Sequence, residues 1–269
     1  MNDIRKLEPA NMAARSGAYR PPKRPPHVDL LLDGNEGIPP RIDVAGVLGD
    51  GGIDLLRRYP DGSTLQRLLA ERHGLSEECV LPTAGADDAI DRCLRVYAGP
   101  EHPMTLADPT FEMIPRYGEL CRAPLRPVPW FRGPFPRQGF IDAAGDDPGV
   151  LAVVSPNNPT GSVATAEDLV ALARACPHCL LMVDLAYGDF ADEDLTAAAL
   201  DLENAVVLRS FSKSGGLAGL RVGYALSMPS IIANLRAAGN PYSVSAPSLR
   251  LAEEVVRNWP EDGSSYVAT

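Results

Sequence analysis

No apolar run in this sequence approaches the roughly 18 residues that a membrane span needs, and neither an internal repeat nor a low-complexity tract is present. Residues 1–26 carry several basic side chains but no apolar stretch, so they do not read as a secretory signal. Basic residues are also in deficit, since 25 Lys and Arg face 35 Asp and Glu, and the formal net charge is -10. This balance argues against a nucleic-acid partner. We therefore expect a cytoplasmic protein that binds neither nucleic acid nor a membrane.

Cysteine does not occur in the pattern of a disulfide framework. The five cysteines are an odd number and fall in segments that read as helices, strands or their ends, which fits free thiols in a reducing compartment. Cys176 and Cys179 frame a Cys-Pro-His-Cys motif of the kind found in thiol oxidoreductases. The motif follows a predicted helix, where the helix dipole has the wrong sign to lower a thiol pKa. A second pair of zinc ligands is not evident either, so no metal site is predicted.

The composition is that of a soluble globular protein, with 269 residues of which 45% are hydrophobic and 22% charged. This length suits one large α/β domain, or one domain and part of another. Short apolar runs alternate with longer amphipathic ones. The pattern predicts strands at 80–84, 104–107, 151–154, 180–184, 205–210 and 221–226, and helices at 64–73, 87–97, 111–120, 166–175, 230–238 and 246–258. Such alternation favours a mainly parallel sheet sandwiched by helices.

Ligands in sheets of this kind bind where strands end, and two of the predicted strand ends carry specialised turns. Strand 80–84 runs into Gly85, whose flexibility lets the first amides of the next helix point at an anion. Many α/β loops look like this, so the signal is weak alone. Strand 151–154 runs into residues 155–161, a turn that contains two Pro, two Asn and a Gly.

Two further strand ends carry charged side chains. Asp184 follows Leu-Leu-Met-Val and is expected to be buried, which demands a positive or hydrogen-bonding partner; a helix cap is the simpler alternative. Lys213 follows strand 205–210 and precedes three glycines within residues 215–219. A partly desolvated lysine has a lowered pKa and can attack an aldehyde. The nearby Ser210, Ser212 and Arg221 suit a phosphate dianion.

One ligand, pyridoxal 5′-phosphate (PLP), satisfies all four strand ends. It offers an aldehyde to Lys213, a pyridinium nitrogen to Asp184, a phenolate to Asn and Tyr, and a phosphate to amides, hydroxyls and Arg221. A lysine Schiff base paired with an acidic partner for the ring nitrogen is the usual protein contribution to PLP chemistry.

Six short motifs follow one another along the chain: Gly85-Ala86-Asp87, Pro109-Thr110-Phe111, Asn158-Pro159-Thr160-Gly161, Asp184-x-x-Tyr187, Ser210-x-Ser212-Lys213 and Leu217-Ala218-Gly219-Leu220-Arg221. In this order and spacing they resemble the fold-type I, class I/II PLP-dependent aminotransferases, and among these the sequence is similar to the histidinol-phosphate aminotransferases. Leu32-Asp33-Gly34-Asn35-Glu36 and Arg58-Tyr59-Pro60 add to the resemblance. It extends over nearly the whole chain, from about Leu32 to about Asn258, and implies an aspartate-aminotransferase-like large domain.

The resemblance also implies a role for each residue that meets the ring of the cofactor. Lys213 would form the Schiff base and later move a proton, and Asp184 would keep the ring nitrogen protonated. Tyr187 and Asn158 would hydrogen-bond the phenolate oxygen, and Phe111 would stack on the ring.

The phosphate site implied by the resemblance consists of the amides of Ala86 and Asp87 with the side chains of Ser210, Ser212 and Arg221. Tyr59 would reach the phosphate bound by a neighbouring subunit, which implies a homodimer with shared active sites.

The sequence departs from the pattern of the family in three places. Leu185 replaces the usual Glu after the ring aspartate, and residues 37–40 replace the usual Asn-Pro in a loop near the substrate. Members of the family also continue into a C-terminal small domain that supplies an arginine for the substrate carboxylate, whereas this sequence stops at Thr269. We expect an N-terminal arm at 1–31, a PLP-binding large domain at 32–240 and the start of an incomplete small domain at 241–269. The sequence would then be a fragment, the product of a truncated gene, or a chain whose missing part another chain supplies.

The leading prediction is a transaminase that moves an amino group between an amino acid or amino phosphate (histidinol-phosphate-like) and a 2-oxo acid. A PLP-dependent amino-acid decarboxylase on the same fold would use the same lysine, aspartate and phosphate site, so the residues do not separate the two. A catalytically silent chain that binds PLP or a partner without turnover is the third alternative.

Overall fold

The computed structural model describes His27 and residues 34–259. Most of the predicted N-terminal arm, the Leu32-Asp33 pair and residues 260–269 lie outside the described residues. The predicted domain division at residues 32 and 241 therefore stays a prediction.

Within the described residues, a seven-stranded sheet forms the centre of the fold. The strands are β1 Val80–Thr83, β2 Met104–Asp108, β3 Leu125–Pro129, β4 Val150–Val154, β5 Leu180–Asp184, β6 Ala205–Ser210 and β7 Gly223–Ser227. Their spatial order is β1-β7-β6-β5-β4-β2-β3. Neighbouring pairs from β3 to β6 are parallel, and β7 runs antiparallel to both β6 and β1. The prediction of a mainly parallel sheet is confirmed, and β7 begins at the edge where the other six strands end.

Ten α-helices accompany the sheet within residues 34–259. They are α1 Val44–Gly51, α2 Asp54–Arg57, α3 Ser63–His73, α4 Gly85–Tyr97, α5 Met113–Leu120, α6 Arg137–Ala144, α7 Ala166–Ala175, α8 Thr196–Leu200, α9 Pro229–Ala238 and α10 Ala246–Arg257. The longest of them, α4, has 13 residues, and none of the described helices combines the length and apolarity that crossing a bilayer requires.

Successive residues of the central strands pack on opposite faces of the sheet, as pleated strands require. Leu181 and Val183 of β5 face a core that includes apolar side chains of α3, α6, α7, α8 and α10. Met182 lies between them in sequence but packs on the other face, where α4, α5 and α9 contribute to a second core. Because β5 is covered on both faces, the carboxyl end of this strand is a dry environment.

The elements missed by the sequence analysis are short or interrupted by proline. β3 has the sequence Leu-Arg-Pro-Val-Pro and lies at the edge of the sheet, where the missing amide hydrogens of proline are tolerated. α1, α2, α6 and α8 have at most eight residues each. The strand predicted at 221–226 begins only at Gly223, because Arg221 has left-handed backbone geometry with φ +52°.

Helix α10 belongs to the same core as α3. Leu249, Ala252 and Val256 of α10 are buried together with Leu65 and Leu69 of α3. The segment 241–257 therefore packs on the sheet domain through an apolar face, within the part of the chain that is described.

Candidate active site

The carboxyl edge of the sheet encloses a cavity of about 290 Å³. Ten of the eleven predicted site residues line it: Ala86, Asp87, Phe111, Asn158, Asp184, Tyr187, Ser210, Ser212, Lys213 and Arg221. Gly34, Asn35, Val154 and Ala186 complete the lining. Residues from four predicted strand ends thus meet at one place, as the position of ligand sites in such sheets leads one to expect.

Asp184 ends β5 and is 3% exposed. Its Oδ1 accepts a hydrogen bond of 2.9 Å from the amide of Ala186. Burial raises the pKa of this carboxyl to about 6; the Ala186 hydrogen bond and Lys213 oppose that shift, and Asp87 adds to it. The expectation that Asp184 is buried is confirmed, and its charged form gains if a cation enters the cavity.

Lys213 is held above the same cavity by contacts on two sides. Its Nζ donates a hydrogen bond of 2.8 Å to the carbonyl oxygen of Gly34. The same Nζ lies 5.2 Å from the centre of the Tyr187 ring, within the range of a cation–π contact. Tyr187 in turn accepts a hydrogen bond of 3.1 Å from Asn35 Nδ2. The phenolic hydroxyl of Tyr187 therefore keeps its own proton for another acceptor.

The opposite end of the cavity is built around Arg221. Its Nη2 donates to Asp87 Oδ2 at 3.0 Å, and its Nη1 donates to Ser212 Oγ at 3.3 Å and to the carbonyl oxygen of Ala218 at 3.1 Å. Ser210 Oγ accepts the amide of Ser212 at 3.0 Å. The pKa of Asp87 is raised, because burial outweighs the opposing influence of the nearby Arg221 and Lys213.

Two glycines allow the start of α4 to approach this end closely. Gly85 has φ +80°, which favours a residue without a side chain. A Cβ on Gly223 would lie 2.6 Å from the carbonyl carbon of Gly85 and 2.8 Å from the amide nitrogen of Ala86. The first amides of a helix lack intrahelical partners, so this approach leaves anion-binding groups beside Arg221.

Asn158 lies at the cavity in the turn after β4, and hydrogen bonds of the neighbouring Asn157 hold this turn in place. Asn157 is 2% exposed, and its Nδ2 donates to the carbonyl oxygen of Pro109 at 3.0 Å and to Thr160 Oγ1 at 2.9 Å. Its Oδ1 accepts a hydrogen bond of 3.2 Å from Thr110. Asn157 therefore ties this turn to the segment that carries Phe111, a bracing role that the sequence analysis did not assign.

Tyr59 is the predicted site residue that the structure does not bring to the cavity. It is 81% exposed, and its ring stacks on Tyr242 with centroids 4.6 Å apart. Since the resemblance assigns Tyr59 to a neighbouring subunit's cofactor, its role stays a prediction.

A larger cavity of about 710 Å³ adjoins the first and shares Asn35, Asn158 and Tyr187 with it. Its wall includes the carboxylates of Glu36, Asp192 and Glu193. The approach to Tyr187 from this side is therefore acidic, which favours cationic groups over anionic ones.

The Cys-Pro-His-Cys motif lies away from both cavities. Cys176 caps the C-terminal end of α7, and burial raises the pKa of its thiol. Burial, with Cys176 adding to it, raises the pKa of Cys179 to about 11. Both shifts oppose thiolate chemistry. Among the described residues, no group of three or more His, Cys, Asp or Glu side chains could hold a metal ion.

Comparison with known proteins finds a family match. The family model for aminotransferase class I and II matches residues 45–268. The histidinol-phosphate aminotransferase of Oleidesulfovibrio alaskensis is 35% identical over 71% of this chain and 52% of its own length. That of Dehalococcoides mccartyi is 34% identical over 80% of this chain and 60% of its own length. The chain thus spans between half and two thirds of the length of these relatives.

Among solved structures, a histidinol-phosphate aminotransferase from Sinorhizobium meliloti in complex with pyridoxal-5′-phosphate matches with a TM-score of 0.77. It is 26% identical, and the match covers 84% of this chain and 63% of that one.

The raised pKa of Asp184 predicts a pH dependence of stability in the cofactor-free chain. A carboxyl with a higher pKa in the folded than in the unfolded chain binds more protons when folded, so its contribution is present at low pH and is lost as pH rises through about 6. Relative to Asp184→Asn, we expect the free energy of unfolding of the wild type to fall by on the order of 3 kcal/mol between about pH 4 and pH 7. Urea unfolding of both chains across this range measures it.

Asp194 serves as the control of opposite sign. Burial, its largest single influence, raises its pKa, but the nearby Arg209 and hydrogen bonds from Thr196 outweigh it and lower the pKa overall. The contribution of Asp194 is therefore lost as pH falls. A difference between the wild type and Asp184→Asn that does not vary with pH would contradict the burial argument.

Proposed function

Because this chain belongs to the aminotransferase class I and II family, we propose that it binds PLP at the sheet edge and serves amino transfer between an amino acid or amino phosphate and a 2-oxo acid. The family assignment confirms the resemblance that the six motifs carry. The observation that supports the proposal most directly is that Lys213, Asp184 and Arg221 face a single cavity. An amine, a buried carboxylate and a guanidinium match the aldehyde, ring nitrogen and phosphate of PLP in number and kind.

When bound, PLP supplies an electron-withdrawing ring conjugated to the reacting amine. Asp184 holds a proton on the ring nitrogen, because a cation beside this buried carboxylate removes the penalty that raises its pKa. Lys213 would supply the amine that holds the cofactor and, once released from it, would accept and return a proton at Nζ. Tyr187, already accepting from Asn35, donates its hydroxyl proton to the phenolate oxygen, with Asn158 beside it. Phe111 covers the ring.

The Arg221 end of the cavity would hold the phosphate of the cofactor. Arg221, Ser212 and Ser210 are already joined by hydrogen bonds, so these groups are oriented before a ligand arrives. The amides of Ala86 and Asp87 at the start of α4 add neutral donors. The Asp87 carboxylate bonded to Arg221 keeps the net charge of this end moderate.

The relatives named above make L-histidinol phosphate the first amino donor to test. The acidic wall formed by Glu36, Asp192 and Glu193 does not suit its phosphate. An amino acid without a phosphate group is therefore tested beside it.

Attachment of PLP to Lys213 is tested by reductive trapping. The sequence contains three lysines, Lys6, Lys23 and Lys213, so two lysines of the same chain serve as internal references. Incubation with PLP, reduction with borohydride, digestion and mass spectrometry are expected to show the adduct at Lys213 well above the other two. Lys213→Ala is expected to remove it. Equal labelling of all three lysines would contradict a site at Lys213.

The reaction itself is tested by product analysis of the PLP-loaded chain. With an amino donor and a 2-oxo acid, we expect a new amino acid formed from the acceptor and no carbon dioxide. Release of carbon dioxide in the absence of a 2-oxo acid acceptor would contradict transamination and identify the reaction as a decarboxylation. Trapping at Lys213 without turnover of any donor would favour a catalytically silent chain.

We further propose that two copies of this chain share active sites through Tyr59. Tyr59 is 81% exposed and lies outside the cavity of its own chain. Its side chain is therefore accessible to the cofactor site of a second copy. Its stacking on Tyr242 fixes the direction of the ring.

A mixing experiment tests this arrangement. Tyr59→Ala is expected to weaken PLP binding about tenfold, the effect of losing one charge-assisted contact. Adding an excess of Lys213→Ala, which cannot be labelled at position 213 but carries Tyr59, is expected to restore trapping at Lys213 of the Tyr59→Ala chain. Absence of mixed dimers in sedimentation, or mixed dimers without restored trapping, would exclude sharing of this residue.

A further inference from the structure

Behind the cavity, the side chain of Arg209 is enclosed by acceptors. Arg209 belongs to β6 and is 6% exposed. Its Nη1 donates to both oxygens of Asp194 at 3.0 Å and to Thr196 Oγ1 at 2.9 Å, and its Nη2 donates to Asp189 Oδ1. One buried guanidinium is thus shared by two carboxylates.

The two carboxylates differ in what else they contact. The second oxygen of Asp189, Oδ2, accepts a hydrogen bond from Ser214 Oγ, and Ser214 directly follows Lys213. Asp194 instead accepts hydrogen bonds from the amide and hydroxyl of Thr196. Of these two carboxylates, only Asp189 therefore connects Arg209 with the segment 211–217, which carries Lys213 and is called the lysine loop.

Asp189 also lies two residues after Tyr187, in a short 3-10 helix at Gly188–Phe190. This turn sits directly on Arg209, since a Cβ on Gly188 would come within 3.3 Å of Arg209 Nη1. The side chain of Asp189 therefore joins the turn that carries Tyr187 to the loop that carries Lys213, and Arg209 fixes both to β6.

The lysine loop is also held by the buried side chains of Phe211 and Leu217 and by bonds of its own backbone. The amide of Gly216 donates to the carbonyl oxygen of Lys213 at 3.1 Å, and the amide of Leu217 donates to that of Phe211 at 2.9 Å. These bonds set the turn but do not attach the Lys213 side of the loop to the Tyr187 turn. The bond from Ser214 to Asp189 makes that attachment, in addition to the contact of Lys213 Nζ with the Tyr187 ring.

We propose that Asp189 is a positioning residue, which holds Lys213 and Tyr187 in register by bridging Ser214 and Arg209. The proposal rests on the proposed function, because it takes Lys213 and Tyr187 to be the residues that meet PLP. A hydrogen bond to a charged group is stronger than one between neutral groups. A loop ordered before binding loses less conformational freedom when the ligand arrives.

The test compares Asp189→Ala and Ser214→Ala with the matched control Asp194→Ala, which also removes one carboxylate from Arg209 but does not touch the loop. In the cofactor-free chain, we expect the first two variants to speed amide hydrogen exchange in residues 211–217. Asp194→Ala and the conservative Ser214→Thr are expected to leave exchange in this segment as in the wild type.

PLP affinity is the second readout. We expect Asp189→Ala and Ser214→Ala to raise the dissociation constant by about tenfold, as loss of one charge-assisted hydrogen bond implies. The control is expected to stay within about threefold of the wild type. If Asp189→Ala does not fold, Ser214→Ala alone carries the comparison.

Equal effects of Asp189→Ala and Asp194→Ala on loop exchange would overturn the proposal, because they would show a general need for charge around Arg209. Wild-type exchange in Ser214→Ala would overturn it as well. Failure of the wild type to bind PLP would instead count against the proposed function, and loop exchange in the cofactor-free chain would still decide whether Asp189 orders the lysine loop.

Discussion

The burial of one carboxylate at the end of the central strand β5 is the constraint on which the rest of the edge depends. β5 pairs on both sides and is covered on both faces, so Asp184 ends in a place that water barely reaches. Its charged form is destabilised there, and among the described contacts only the Ala186 amide offers it a direct donor. The positive groups of the cavity, Lys213 and Arg221, are held by other partners. A cationic ligand atom beside Asp184 would therefore offset the cost of burying its charge.

Consecutive residues of β6 divide two tasks between the two sides of the strand. Ser210 lines the cavity, whereas Arg209 packs behind it against Asp189 and Asp194. This division follows from the alternation of side chains along a strand. Contact with a ligand and support of the contacting loops can thus come from adjacent positions without competing for space.

The fold and most of the candidate site could be predicted from the sequence because the informative residues follow directly on apolar runs. Asp184 and Lys213 are conspicuous for that reason, and the parallel order of the strands brings their ends together. Other features depend on contacts that no local pattern shows. Asn157 and Asn158 are neighbours of the same type, yet one braces the turn and the other faces the cavity. Whether Tyr59 meets a cofactor depends on a second copy, which the sequence of one chain does not position.

Asp194 is bonded to Arg209, a pairing that the sequence analysis did not assign. No local pattern shows it, because Arg209 stands in an apolar strand and its partner comes from another segment. Arg221 was placed correctly at the cavity but in the wrong backbone state, since a left-handed residue before an antiparallel strand has no periodic signature.

The pairing of β1 with β7 has a consequence for how this protein is made. Thr83 lies opposite Gly223, with about half of the 269 residues between them. Among the described strands β1 has no other partner. During synthesis on the ribosome, β1 and the turn at Gly85 must wait until β7 has emerged. Until then the unpaired edges of β1 and β6 are open to other chains, as such edges generally are. A nascent chain would thus complete its anion-binding corner only after β7 has emerged.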